Sequence, residues 1–226
     1  LLKPDFDKCT ERATELLYKQ EISDRILNIA ALNYDKKILF ESIQTYCQYV
    51  KAPLDIFLSS RKDVLRDGCT LFDKQSGYYI VLYNSEITHF EHRNWTLGHE
   101  IGHIYLEHTK DDDLEEIEAH FFASQLFMPE YSLYMMSQEY GRVTAEDIVE
   151  IFGVSDEAAR KRIHTMKRKT SFRASKKDRE IWHNQKERID MYFHCKREGR
   201  NFRETLYFWN EMKIEYERQC RLESYI

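Results

Sequence analysis

Apolar positions recur three and four residues apart near the start of the chain. One set is Leu16, Leu17, Ile22, Ile26, Ile29 and Ala30; a second is Ile38, Leu39, Ile43, Tyr46, Tyr49 and Val50. This spacing predicts one or two helices, ending before Pro53. The texture then changes. Gly68 and Gly77 punctuate short apolar pieces, and the run Tyr78–Tyr83 is rich in β-formers, so residues 64–83 are expected to supply two or three strands of a small sheet. The helical period returns at Leu97, Ile101, Ile104 and Tyr105, which predicts a helix over 96–108 with Asn94 as its cap. A polar link follows at 109–113. The next predicted helix covers 114–128 and stops at Pro129. Thr144 begins another helix that Gly153 ends, and Ser155 caps a further one containing Ala158, Ala159 and Ile163. Residues 170–226 are charged and aromatic at helical spacing.

Seven glycines and three prolines are too few to punctuate an all-β chain, so the expected fold class is α+β and mostly helical. Four segments are expected: helical residues 1–60 packing on the core, a core at 61–140, a helix-turn-helix-like segment at 141–169, and a basic, aromatic helical extension at 170–226. The length of 226 residues is ample for a sizeable core.

Charge changes this picture. Residues 86–158 carry 17 acidic and 3 basic side chains, whereas residues 160–203 carry 16 basic and 5 acidic ones. Such a polarity suits a tail that binds nucleic acid or an acidic protein, or one that docks on the acidic body of its own chain. Five widely spaced cysteines with no C-x-x-C argue against a disulfide framework or a zinc ribbon. No apolar run reaches membrane-span length, and the N-terminus lacks a signal-type apolar core, so a cytoplasmic protein without membrane contact is expected.

The strongest chemical signal is His99-Glu100-Ile101-Gly102-His103. Histidines at i and i+4 share one helix face, so both imidazoles can bind one tetrahedral zinc through bonds of about 2.0–2.1 Å. Glu100 sits beside that face, where it can take the proton of a water activated by the metal. A catalytic zinc needs a third protein ligand and one open position. The following helix offers Glu115, Glu116 and Glu118. Glu116 shares its face with Ala119, His120 and Ala123, and the two alanines permit a close approach of backbones, so Glu116 is preferred. Glu118, on a face with Phe121, Phe122 and Gln125, is the runner-up, and Glu115 points between the two. His120 is expected beside the metal without binding it, orienting His103 or Glu116; an ordinary hydrogen-bonded histidine is the alternative. His108 lies too far along a straight helix to share the ion and reads as a helix-end residue favoured by the dipole. Asp111, Asp112 and Asp113 lack the alternation and glycine of a calcium loop and read as a solvated link.

The stretch from Trp95 to Ile104, followed by Glu116-Ile117-Glu118-Ala119-His120-Phe121-Phe122-Ala123-Ser124-Gln125-Leu126-Phe127-Met128-Pro129, resembles the ImmA/IrrE metallopeptidases. The likeness covers roughly residues 75–165 and is strong over these two blocks. It departs from the family pattern at His120, where Asn or Asp is usual, and at Phe127. The resemblance implies a zincin-like metallopeptidase core with a small sheet and a helical C-terminal extension. It also implies one zinc per chain held by His99, His103 and Glu116, with Glu100 as catalytic base. The implied activity is endoproteolysis of a protein substrate, a DNA-binding transcriptional repressor or other regulatory protein, in cytoplasmic systems of mobile elements or stress responses.

Other signals compete with that reading. Residues 143–168 have a helix-turn-helix look, with Arg160, Lys161 and Arg162 after the turn; packing of this pair on the core is favoured. Basic residues interleave with aromatics from Arg168 to Arg203, a composition that suits nucleic acid, although intramolecular packing is preferred. A zinc-binding regulatory or toxin–antitoxin-type interaction module with little turnover is the alternative function. Tyr131, Tyr134, His92 and Arg93 are candidates for oxyanion stabilisation by proximity to the motifs alone.

Overall fold

The computed structural model describes residues 3–20, 26–58, 65–110, 112–166 and 172–223. Ile22, Asp111, Arg168 and the expected segment boundaries at 60/61 and 169/170 lie outside these residues. The fold is mostly helical with one small mixed sheet. Helix α1 (Phe6–Tyr18) is capped by Asp5, whose carboxylate accepts the Lys8 amide at 2.9 Å, and it buries Cys9, Ala13, Leu16 and Leu17. A short 3-10 turn at Ile29–Ala31 precedes strand β1 (Ile38–Ser42) and helix α2 (Ile43–Val50). Strands β2 (Gly68–Asp73) and β3 (Tyr78–Tyr83) complete the sheet in the order β1-β3-β2. β1 runs parallel to β3, with Ile38 opposite Tyr79, and β2 runs antiparallel to it, with Gly68 opposite Tyr83.

The helical reading of residues 38–50 was half right. Residues 39, 43 and 46 mimic a helical period, but Ile38 and Phe40 alternate toward the main core while Leu39 faces outward. Ser42 then caps α2 through the Thr45 amide at 3.0 Å, and the chain switches from a period of two to one of about four at Ile43 and Cys47. Those two residues, with Phe57 and Leu82, form a small core on one face of the sheet. The opposite face packs against helix α3 (Phe90–Leu106) and belongs to the main core.

Helix α3 begins well before the expected start. Asn94 is no cap: it is buried inside the helix, where its side chain accepts the Ile29 amide at 2.9 Å and donates to the Leu27 carbonyl at 2.6 Å. Helix α4 (Asp113–Phe127) is capped by Asp112 and packs along α3. Gly102 makes that approach possible, since a Cβ there would lie 3.1 Å from the Ala119 carbonyl oxygen and 3.2 Å from its Cα.

Helices α5 (Glu130–Tyr140), α6 (Ala145–Phe152), α7 (Asp156–Met166), α8 (Lys176–Glu198) and α9 (Phe202–Glu223) follow. The α6–α7 pair packs into the same core through Ile148, Ile151, Phe152 and Ala159. Arg162 is only 1% exposed; it donates to the Met128 carbonyl and to the Gln125 side chain, closing the C-terminal end of α4. It therefore belongs to the interior rather than to a basic surface. Arg160 and Lys161 are exposed but pair with Asp156 and Glu157 one turn earlier.

The basic extension docks on its own acidic body. From α8, Lys177 pairs with Glu15, Lys186 with Glu139, and Lys196 with Asp147. Arg203 of α9 grips Glu150 at 3.1 and 3.2 Å. Between these pairs Ile181, Trp182, Ile189, Tyr192 and Phe193 are buried. Phe208 of α9, by contrast, stands 65% exposed.

Asp147 is the wholly buried anchor of this docking. It forms a reciprocal cap with Thr144 and accepts from Tyr192 Oη at 2.7 Å and from Lys196. Burial works to raise its pKa, but the Lys196 hydrogen bond and those from Thr144 and Tyr192 outweigh it and hold the carboxyl below its ordinary 3.8. Its contribution to stability is thus complete above that value and is lost as the pH falls through the folded one. Asp147→Ala should cost about 2 kcal/mol, read as a lower urea midpoint, because it strands a buried tyrosine hydroxyl and a helix cap. Lys186→Ala, at a partly exposed pair, should cost less than about 1 kcal/mol.

Candidate metal centre

His99 and His103 project from the same face of α3, and Glu116 comes from the first turns of α4. Their nearest ring nitrogens and carboxylate oxygens form a triangle: His99 Nε2 to His103 Nε2 is 3.0 Å, His99 Nε2 to Glu116 Oε2 is 3.3 Å, and His103 Nε2 to Glu116 Oε1 is 3.2 Å. A tetrahedral ion with bonds of about 2.0–2.1 Å separates its ligand atoms by roughly 3.3 Å, so the three donors fit such an ion. Among the described residues they are the group that could hold a metal ion.

Three glutamates of α4 do three different things. Glu116 faces the histidines. Glu115 turns back to accept the amides of Thr109 at 3.1 Å and Lys110 at 2.7 Å, which fixes the α3–α4 connection. Glu118, the runner-up as ligand, points away from the triangle and is buried against α1; its Oε1 accepts the Asp5 amide at 2.7 Å.

Electrostatics tie the triangle together before any ion arrives. Hydrogen bonds from His103 and then His99 hold the Glu116 carboxyl far below the usual carboxylate range. Burial opposes charge on His103, but the hydrogen bond to Glu116 and the charges of Glu100, Glu116 and Glu115 outweigh it and raise its pKa above 6.5. An ionised Glu116 carboxylate thus faces two imidazoles, an arrangement that favours positive charge in the place where a metal cation would supply it.

Glu100 is 7% exposed and lines a cleft of about 1220 Å³ that also contains His99, His103 and Glu116. Its Oε2 accepts a 2.7 Å hydrogen bond from Thr70 Oγ1. Thr70 lies on β2, an outer strand of the sheet, whose α3-facing side also carries Gly68. A Cβ at Gly68 would come within 2.6 Å of Thr96 Cγ2, so the strand lies directly on the helix.

The remaining candidates divide. The His120 ring packs on His99, with centroids 4.3 Å apart, and so touches a histidine of the triangle without hydrogen-bonding His103 or Glu116. His92 lines the cleft with Nε2 3.0 Å from Asp67 Oδ2. Arg93 lies over the Tyr83 ring, and Tyr131 and Tyr134 stack with Phe172, so these three are directed elsewhere. His108 departs most from expectation. The helix ends at Leu106, Glu107 adopts a left-handed conformation (φ 61°), and the chain folds back until His108 Nδ1 lies 3.0 Å from His103 Nδ1. The left-handed turn at a non-glycine residue left no sequence signal. The pairing of Thr70 with Glu100 depends on strand placement, which was equally silent.

The sequence profile of Peptidase_M78, the IrrE N-terminal-like domain, matches residues 49–164, just over half of the chain. The protein belongs to this family. A search of curated proteins finds no match. The IrrE N-terminal-like match begins within α2, earlier than the likeness in the two motif blocks suggested, and ends within α7. It contains the whole triangle, Glu100 and Thr70, whereas α1, β1, α8 and α9 lie outside it. The family is one of peptidases, and no helix among the described residues is long and apolar enough to cross a membrane.

Alanine at His99, His103 or Glu116 should abolish stoichiometric uptake of a divalent metal, measured by metal analysis after dialysis, while leaving far-UV circular dichroism unchanged. Acidification should weaken metal binding, because protons compete with the ion for the imidazoles and the carboxylate. With the His103 pKa raised, the loss should begin above pH 6.5, as a chelator-competition titration across pH would show.

Proposed function

We propose that this IrrE N-terminal-like protein is a cytoplasmic zinc-dependent endopeptidase. The observation that carries the reading is the His99–His103–Glu116 triangle at tetrahedral ligand spacing, with the buried carboxylate of Glu100 beside it on the same cleft wall. Zinc held by the triangle would polarise the scissile carbonyl and make water acidic enough to be deprotonated near neutral pH.

The rest of the chemistry belongs to the chain. Glu100 accepts a proton from the attacking water as its oxygen adds to the carbonyl carbon, then returns that proton to the amide nitrogen as the C–N bond breaks. The products are a carboxylate and an amine. Thr70 holds the Glu100 carboxylate at one oxygen and leaves the other for the water. Strand β2 has one side paired with β3 and the other bordering the cleft, which suits an extended peptide added as a further strand. An extended segment of a protein is therefore the favoured substrate, and the resemblance to the ImmA/IrrE metallopeptidases supports a DNA-binding repressor or other regulatory protein as its class.

Incubation of the zinc-loaded protein with repressors encoded beside its gene, followed by mass spectrometry, tests this directly. Glu100→Gln should retain zinc and fold but lose cleavage by at least about 100-fold, the scale of general-base catalysis. Cleavage by Glu100→Gln at the parent rate would refute the assigned base. Zinc uptake without cleavage of any such protein would favour the interaction-module reading instead.

A further inference from the structure

His108 and Glu118 occupy places that the proposed chemistry does not use. His108 Nδ1 lies 3.0 Å from His103 Nδ1, and His108 Nε2 lies 3.1 Å from Glu118 Oε2. Both side chains are shielded, His108 at 5% and Glu118 at 10% exposure. Glu118 is in turn fixed by the Asp5 amide at the start of α1, and Lys8 donates to the Leu106 carbonyl at 2.9 Å, closing the turn that carries His108.

Only one arrangement of protons satisfies this chain when His103 Nε2 serves as a ligand. His103 must then carry its hydrogen on Nδ1, so His108 Nδ1 must accept it. The other His108 nitrogen is left to donate, and it faces an acceptor carboxylate. We infer that His108 and Glu118 form a hydrogen-bond relay that positions His103 for the metal, in which His103 Nδ1–H donates to His108 Nδ1 and His108 Nε2–H donates to Glu118. The relay sets both the tautomer and the ring plane of His103. It also ties the metal site to α1, which lies outside the family-matched segment. His108 is a positioning residue: it acts through His103 and does not meet the substrate. The left-handed turn at Glu107 acquires a purpose here, because a straight continuation of α3 would carry His108 away from His103.

The inference rests on the zinc-site reading, and one experiment separates the two. Zinc affinity is measured by competition with a chromophoric chelator for the parent, His108→Leu, His108→Asn and Glu118→Gln. Removal of such a ligand-orienting partner typically weakens metal binding about 10–100-fold, which is the loss expected for His108→Leu. His108→Asn should recover part of that loss, since its amide oxygen can accept from His103 Nδ1–H; a role in packing alone would favour Leu over Asn. Glu118→Gln should lie between parent and His108→Leu. A folded His108→Leu variant that binds zinc within twofold of the parent overturns the relay alone, as does a His108→Asn variant that binds more weakly than His108→Leu. A parent that takes up no zinc overturns the metal reading and the relay with it. Should His108→Leu not fold, long-range ¹H–¹⁵N spectra of the zinc-loaded parent decide the matter. Hydrogen on His103 Nδ1 and His108 Nε2 is expected, and hydrogen on His108 Nδ1 overturns the relay.

Discussion

Gly102 of α3 and Ala119 of α4 meet so closely that a single added carbon would press on the opposing backbone, and His99, His103 and Glu116 all lie within about one turn of that point. Helices with small residues at their crossing pack near the short end of the usual range of roughly 8–10 Å. A glutamate side chain spans only a few bonds, so the carboxylate of Glu116 can meet two imidazoles only if its helix comes this near. Gly98 serves the same end one turn earlier, where a Cβ would lie 2.6 Å from the Phe127 ring. The sheet obeys the same constraint on the other side of α3, since the bare Gly68 lets β2 lie against Thr96 and so delivers Thr70 to Glu100.

The negative charge gathered at the start of α4 is better placed than its density suggests. Asp112, Asp113, Glu115 and Glu116 surround the positive end of the helix dipole, where negative charge is favourably placed. Three of them have separate employments: Asp112 caps the helix, Glu115 closes the loop and Glu116 completes the triangle. Glu118, further along, is buried, with the Asp5 amide and His108 as its partners. Replacing Asp112, Glu115, Glu116 or Glu118 would each disturb a different function, even though they are neighbours in sequence and identical or nearly so in chemistry.

Part of the charge polarity along the chain is met within the molecule, among the described residues. Lys177, Lys186, Lys196 and Arg203 find acidic partners on α1, α5 and α6, and the apolar residues between them bury α8 against the same helices. Partly exposed pairs contribute little each, so the docking rests mainly on the buried aromatics and on Asp147. Helix α9 differs. Tyr207, Phe208, Met212 and Tyr216 remain exposed along it, and its contacts within the chain are made chiefly with α8.

Local sequence determined the helix that carries the His-Glu-x-x-His motif, the strand at Tyr78–Tyr83, and the caps at Thr144 and Ser155, because periodicity and capping are properties of near neighbours. It also singled out Glu116, since the small residues on that helix face announced a close approach. Tertiary structure decided what depends on distant partners. Residues 38–42 became a strand because β3 offered a parallel edge, overriding a spacing that mimicked a helix. Asn94 became a buried tie to residues 27–29 because the helix began earlier than its polar side chain implied. Arg162 went inside because the end of α4 presented unsatisfied carbonyls. His108 came to His103 because a left-handed residue reversed the chain after α3, a choice made by the packing around it and not by any residue type that prefers it.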